Sequence, residues 1–152
     1  MLLQRLDYDS HWYQQSLALR EQVLRLPLGR KLDAHDLAGE AQQWHLALVH
    51  DQDILACLVI KPELRPLAKL RQMAVQPAMQ GQGLGMRLVQ AVEQWLISQG
   101  FDQIKLDARL TALGFYQRLG YESQGKPFEQ VGITHVLMNK RLVRDDAQPG
   151  LV

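Results

Sequence analysis

Residues 75 to 89, VQPAMQGQGLGMRLV, pass from the end of an apolar run through a proline, cross three glycines at alternate positions, and enter an amphipathic helical pattern. Glycine lacks the Cβ that otherwise shields neighbouring amides, so Gly81, Gly83 and Gly85 let ligand oxygens approach main-chain N–H groups. The first turn of the following helix adds unpaired N–H donors and the positive end of the helix dipole. Together these features suit a diphosphate. Two other phosphate loops do not fit. A P-loop needs Lys-Ser or Lys-Thr after its last glycine, where this chain has Met86-Arg87. A G-x-G-x-x-G fingerprint counted from Gly81 meets Met86 where its final glycine should stand. A tight strand-to-helix turn would use glycines too, but the stretch is best explained as a pyrophosphate cradle without a metal or a P-loop lysine.

Other side chains could carry chemistry. In GITHVLM, strand alternation puts His135 on the side of Ile133 and Leu137. An imidazole on an apolar face is either a hydrogen-bonded core residue or a functional base, and its ordinary pKa suits it to take a proton from an ammonium group. Arg71 shares a strand face with Met73 and Val75. It is either paired with a buried carboxylate, Asp107 and Glu129 being the candidates, or placed to receive an anionic ligand. Cys57, the only cysteine, sits in ILACLVI and reads as a buried thiol rather than a nucleophile. His45 and His50 fall on opposite strand faces, a poor arrangement for one metal ion, and no metal is expected. His45 is instead a candidate for lining an acceptor cleft.

The elements that must position these residues follow from hydropathy and punctuation. LLQRLDY reads as a short first strand. Ser10 can cap a helix running to about Leu26, with Pro27 as its stop. GRKLDAHDLAGEAQQ is polar and ambiguous. WHLALVH and ILACLVIK form a hairpin through DQD, and LAKLRQMAV is a third strand candidate. A strong helix is expected from Gly83 to Gln99, ending at Gly100. FDQIKLDA is a strand, Thr111 caps a helix over ALGFYQRL, and YESQGK and GITHVLMNKRL supply two more strands. This order predicts an α/β protein with a mixed, mostly antiparallel sheet flanked by helices.

The chain has 152 residues, 47% apolar and 22% charged, with a net charge of +1. That length predicts a single domain, over residues 1–142, followed by a polar tail at 143–152. The near-neutral balance gives no electrostatic case for nucleic acid or an anionic membrane as partner. No segment approaches the roughly 18 apolar residues of a membrane span, so a soluble, cytoplasmic protein is expected.

The glycine block resembles the signature of the GCN5-related N-acetyltransferases, Gln/Arg-x-x-Gly-x-Gly/Ala between a strand and a helix, which stands here as Gln80-Gly81-Gln82-Gly83-Leu84-Gly85. MAVQP matches the family's approach to it, and GFYQRLGYE matches a second family block in the right order. The resemblance implies a sheet splayed at the cofactor site and acetyl-CoA as co-substrate. It implies that the main chain of Met73, Ala74 and Val75 pairs with the pantetheine arm. The N–H groups of Gln80, Gly81, Gln82, Gly83, Leu84 and Gly85 would hold the pyrophosphate. Tyr116 would be the acid beside the thioester sulfur, also contacting the cofactor. A core aromatic on an amphipathic helix is the other reading of Tyr116, with Phe115 better placed to be that core residue.

VLRLPLG, LRQMAV and the run from DARLTALGFYQRLGYE to VLMNKRL are similar to the glyphosate N-acetyltransferase branch and to ElaA-like proteins. That likeness implies His135 as general base, also touching the acceptor, and Arg25, Arg71 and Arg109 as the grip on an anionic acceptor. The implied activity is an acyl-CoA N-acetyltransferase moving an acetyl group by direct attack of a small amine that also carries a carboxylate or phosphonate. Two alternatives stand beside it: a protein or peptide N-acetyltransferase, and a non-catalytic acyl-CoA-binding sensor. Homodimers are common in the superfamily, but no exposed apolar stripe specifies an interface.

Overall fold

A computed structural model describes residues 2–144; most of the polar tail expected from Val143 lies outside the described residues. The elements in chain order are β1 (Leu2–Leu6), α1 (His11–Leu24), α2 (Ala34–Leu37), β2 (Trp44–His50), β3 (Asp53–Pro62), β4 (Leu67–Val75), α3 (Leu84–Ser98), β5 (Gln103–Arg109), α4 (Leu113–Arg118), β6 (Glu122–Gln130) and β7 (Ile133–Arg141). No helix among the described residues is long and apolar enough to cross a membrane. The strands follow the hydrogen-bonded order β1-β2-β3-β4-β5-β7-β6. The fold is therefore α/β with a mostly antiparallel sheet, as the pattern predicts. The chain forms two compact units, Met1–Pro62 with Leu70–Val89, and Glu63–Lys69 with Gln90–Val152; residues 1–142, expected as a single domain, take in parts of both.

In the first unit, β1, β2 and β3 form an antiparallel meander, with Leu6 opposite His45 and Ala47 opposite Cys57. The β2–β3 hairpin turns where DQD predicts it. Leu6, Leu19, Ala47, Val49, Ile54, Cys57 and Ala74 make one buried cluster, with Trp12, Val23 and Leu24 of α1 packed on it. Burial pushes the Cys57 thiol up to about 12, so it stays protonated and unreactive near neutral pH. Ser10 caps α1 as expected, its hydroxyl accepting from the Tyr13 amide at 3.1 Å. The inward stripe of α1 is unusual: Tyr13, Ser16, Leu19 and Arg20 are its buried residues. The ambiguous polar segment folds into α2, closed by a reciprocal capping box between Asp33 and Asp36, and a short 3-10 turn at Glu40–Gln42.

In the second unit, β7 lies between β5 and β6, antiparallel to both. β5 alternates cleanly, with Ile104, Leu106 and Ala108 buried. Glu93 from α3 is buried and held by the Tyr121 hydroxyl at 2.8 Å and by Lys140 at 3.0 Å. Thr111 does not cap α4 as expected. It sits inside a 3-10 turn at Leu110–Ala112, and Ala112 precedes the helix with no side-chain cap. β6 runs on to Gln130, further than YESQGK suggests. It is exposed almost throughout, and its pairing with β7 is interrupted between Gln124 and Phe128.

Candidate active site

The glycine turn is part of the first unit. β4 ends at Val75, and Gln76 is tied to β3 twice, its amide donating to the Leu55 carbonyl at 2.9 Å and its side chain to that of Ile54 at 2.7 Å. A 3-10 turn at Pro77–Met79 follows. Gly81 and Gly83 then take φ values of +81° and +79°, the left-handed region that side chains disfavour. No atom lies within 4 Å of where a Cβ would stand on either glycine. These glycines leave the peptide open; they do not squeeze past a neighbour. α3 starts at Leu84, with the Arg87 amide bonded to the Gly83 carbonyl and no acidic residue in its first turn. Among the described residues, the N–H groups of Gly81, Gln82 and Gly83 donate to no main-chain carbonyl outside helices and strands, whereas that of Gln80 is turned to the Pro77 carbonyl. Uncovered donors, a helix start and the absence of acid form a site that fits a diphosphate.

Immediately before this turn, β4 is irregular. Gln72 has φ +48°, a left-handed residue inside a strand, a state that costs about 1–3 kcal/mol and persists only where the surroundings enforce it. The surroundings are a buried charge cluster that the sequence reading did not find. Arg20, fully buried, donates from Nε to Gln72 Oε1 at 2.8 Å and from Nη1 and Nη2 to both carboxylate oxygens of Glu40. The Tyr13 hydroxyl donates to Glu40 Oε1 at 2.6 Å. Arg71 Nη1 reaches Glu40 Oε2 at 3.2 Å and Gln43 Oε1 at 2.6 Å, and its Nη2 donates to the Asp36 carbonyl at 2.7 Å. Burial alone would raise the Glu40 pKa, but the hydrogen bonds from Arg20, Tyr13 and Arg71 outweigh it and hold the carboxyl below its ordinary value.

These contacts settle the internal partner of Arg71. It is Glu40, not Asp107 or Glu129. Asp107 pairs instead with Lys69 at 3.2 Å, and Glu129 accepts from the Thr134 hydroxyl at 2.6 Å. Arg25 lies at the same place, forked onto the Asp36 carboxylate at 2.8 and 3.2 Å and buried. Arg25 and Arg71 are thus brought together through Asp36, one on its carboxylate and the other on its carbonyl. His45, expected beside an acceptor cleft, belongs to this buried cluster. It is buried at 2% exposure with its ring edge-on to Tyr13, and Nε2 donates to the Glu40 carbonyl at 2.8 Å. Burial lowers its pKa, although the Glu40 contacts oppose that shift.

In the second unit, the β5–β7–β6 register sets Arg109, His135 and Phe128 in one row across three strands. Directly paired residues project to the same face, so two of the predicted site residues, Arg109 and His135, stand side by side. His135 is buried, its ring stacked on Phe128 with centroids 6.1 Å apart, and Nδ1 lies 2.8 Å from the Ile133 carbonyl. A carbonyl only accepts, so Nδ1 carries a hydrogen, which leaves Nε2 as the ring nitrogen that can take up a proton. The apolar face expected for His135 is less one-sided than alternation suggests, because Val136 is buried as well.

Tyr116 also belongs to the second unit. The expected division between Phe115 in the core and Tyr116 facing out is reversed in burial: Tyr116 is buried and Phe115 only half-buried. Its ring packs edge-on against Phe115 and Tyr121. Among the described residues its hydroxyl has no hydrogen-bond partner. Burial raises its pKa well above the usual phenol value, so it is protonated at neutral pH.

The sequence could have announced Glu40 only indirectly. It sits in a polar run with no periodicity, and its one signal is Arg71 on an otherwise apolar strand face, which demands either a buried carboxylate or an anionic ligand.

A family model described as an acetyltransferase (GNAT) domain matches residues 29–142, crossing both units. The Bacillus subtilis protein YyaT is 36% identical over 78 residues, 51% of this chain and 53% of its own length. The match thus spans about half the length of the first curated relatives. Among solved structures, a candidate N-acetyltransferase from Lactobacillus plantarum superposes with a TM-score of 0.82 at 25% identity, over 94% of this chain and all of that one. Escherichia coli ElaA, at 20% identity, shares the fold with a TM-score of 0.77, over 93% of this chain and all of its own.

Proposed function

The chain belongs to the acetyltransferase (GNAT) domain family, and from that premise we propose that it moves an acetyl group from acetyl-CoA directly onto the amine of a small anionic acceptor, amino-acid- or phosphonate-like. The observation that carries the reading is the open turn at Gly81 and Gly83, whose uncovered N–H groups stand at the start of α3. In this reading the amides of Gly81 to Gly85 hold the diphosphate, with the Gln80 side chain bracing the turn through the Val75 carbonyl at 3.1 Å. The main chain of Met73, Ala74 and Val75 pairs with the pantetheine arm. Acetyl-CoA, when bound, supplies an activated acyl group and a thiolate leaving group.

The side chains divide the proton work. An alkylamine is mostly protonated at neutral pH, and only its neutral form attacks. His135 accepts that proton at Nε2, directly or through water, because Nδ1 is committed to the Ile133 carbonyl. The nitrogen bonds to the acyl carbon, the carbon–sulfur bond breaks, and the Tyr116 hydroxyl, kept protonated by burial, gives its proton to the departing sulfur.

Selection of an anionic acceptor falls to Arg71 and Arg109. Around Glu40, the two guanidinium groups of Arg20 and Arg71 face one carboxylate, a surplus of positive charge that favours an anion. Arg25, forked on Asp36 as Arg71 is bonded to Glu40, completes this basic set in the proposal.

The test follows thiol release from acetyl-CoA with a panel of amino acids, aminophosphonates and basic peptides. Expected is turnover with the acidic amines, lowered about a hundredfold or more by His135→Ala and less by Tyr116→Phe. Turnover confined to basic peptides would replace the acceptor class. Tight acetyl-CoA binding with no transfer to any amine would make the chain a sensor.

A further inference from the structure

We infer that Arg20 is a positioning residue for the cofactor strand: by holding the Gln72 side chain it keeps a left-handed residue within β4 and so sets the direction in which Met73–Val75 leaves. The inference rests on the reading above that Met73–Val75 pairs with the pantetheine arm.

Glutamine has no intrinsic claim on the left-handed region; glycine and, less often, asparagine or aspartate visit it. In a regular strand, neighbouring side chains project to opposite faces. Arg71 and Gln72 are neighbours, yet both reach the same cluster, Arg71 through Glu40 and Gln72 through Arg20. The φ of +48° at Gln72 is what permits that convergence. Arg20 is well suited to enforce it. It is fully buried, and its other two donors are forked on a carboxylate that Tyr13 and Arg71 also hold. A guanidinium fixed at two corners presents its Nε in one place. If Gln72 were released, β4 could relax to regular alternation and carry the amides and carbonyls of Met73–Val75 with it. The glycine turn is anchored separately, through Gln76 onto β3.

That separation supplies the test. CoA carries the pantetheine arm, whereas 3′-phosphoadenosine 5′-diphosphate lacks it but keeps the diphosphate. In Gln72→Leu, which removes the acceptor for Arg20, CoA affinity is expected to fall about tenfold, the scale of a lost hydrogen bond to a charged group. Affinity for the truncated nucleotide should stay within about twofold. Gln72→Glu, which keeps an oxygen for Arg20, should restore CoA binding. Gln72→Asn tolerates the left-handed region but is too short to reach Arg20. It repeats the test with less backbone cost if the leucine variant does not fold. Equal losses for both ligands, or a lowered melting temperature with both affinities unchanged, would reduce Arg20 to a structural role and overturn the inference. A wild-type chain that binds the truncated nucleotide but gains nothing from the arm would also overturn it. Binding of neither ligand would instead sink the acetyl-CoA reading itself.

Discussion

The Glu40 cluster and the Gly81–Gly83 turn flank the same stretch of chain, one before and one after Met73–Val75, and they are built on opposite rules. Around Glu40, both carboxylate oxygens, Tyr13, Arg20 and Arg71 are tied to one another. At the turn, two glycines in the left-handed region leave amides uncovered, with no side chain within reach of a Cβ. A carboxylate held on both oxygens fixes geometry, whereas uncovered amides are free to bind a ligand. Adjacency matters because orientation within about an ångström is what a transfer site must supply. A strand pinned on one side and open at the other meets that need without rigidity at the ligand itself.

The contrast can be broken first at its rigid end. Glu40→Ala removes the shared carboxylate and leaves a buried guanidinium without a counter-charge, so a loss of about 3–5 kcal/mol is expected in denaturant unfolding. A loss below 1 kcal/mol would show that the cluster is not what holds β4. Gly83→Val tests the open end. Its Cβ meets nothing, so stability should drop only by about 1–3 kcal/mol for the φ of +79°. Acetyl-CoA affinity, by calorimetry, should fall by an order of magnitude or more as the branched side chain covers the amides. Unchanged affinity in the folded variant would remove the turn from the site.

The smallest effect is in pH. The turn from Gln80 to Gly85 has no ionisable side chain, whereas the cluster contains several. His45 has a folded pKa lowered by burial, so the unfolded chain binds the extra proton more readily. Its contribution is complete above its ordinary value of about 6.5 and is lost as pH falls through the lower folded value. Asp36 and Glu40, both depressed by their arginines against the effect of burial, add a second loss below about 4.5. Urea titrations between pH 7 and 5 should show declining stability in the wild type and a flatter profile in His45→Phe. Identical profiles would mean that His45 is not buried neutral.

Legibility in the sequence followed the kind of force at work. The β2–β3 hairpin, the third strand and α3 rest on local apolar periodicity, and their predicted bounds agree with the structure within a residue or two. The glycine turn could be found because left-handed backbone demands glycine. α1 was harder, since its buried stripe includes Ser16 and Arg20, which no hydropathy pattern marks as inward. Glu40 was invisible because its burial depends on partners distant in sequence. Tyr116 and Phe115 were exchanged because a helix as short as α4 offers too few turns to fix which face is inside. Thr111 misled for a related reason: a capping residue type does not reveal that a 3-10 turn precedes the helix.

The interrupted pairing of β6 has a consequence for assembly. This strand ends the hydrogen-bonded order, and an exposed terminal strand invites another chain to continue the ladder. Here Pro127 offers no amide, Lys126 brings a charge, and Gly125 at φ +75° bends the backbone away from a straight template. These features oppose a second copy continuing the ladder at this margin, which leaves β1, at the other end of the order and paired to β2 without interruption, as the regular edge of the sheet.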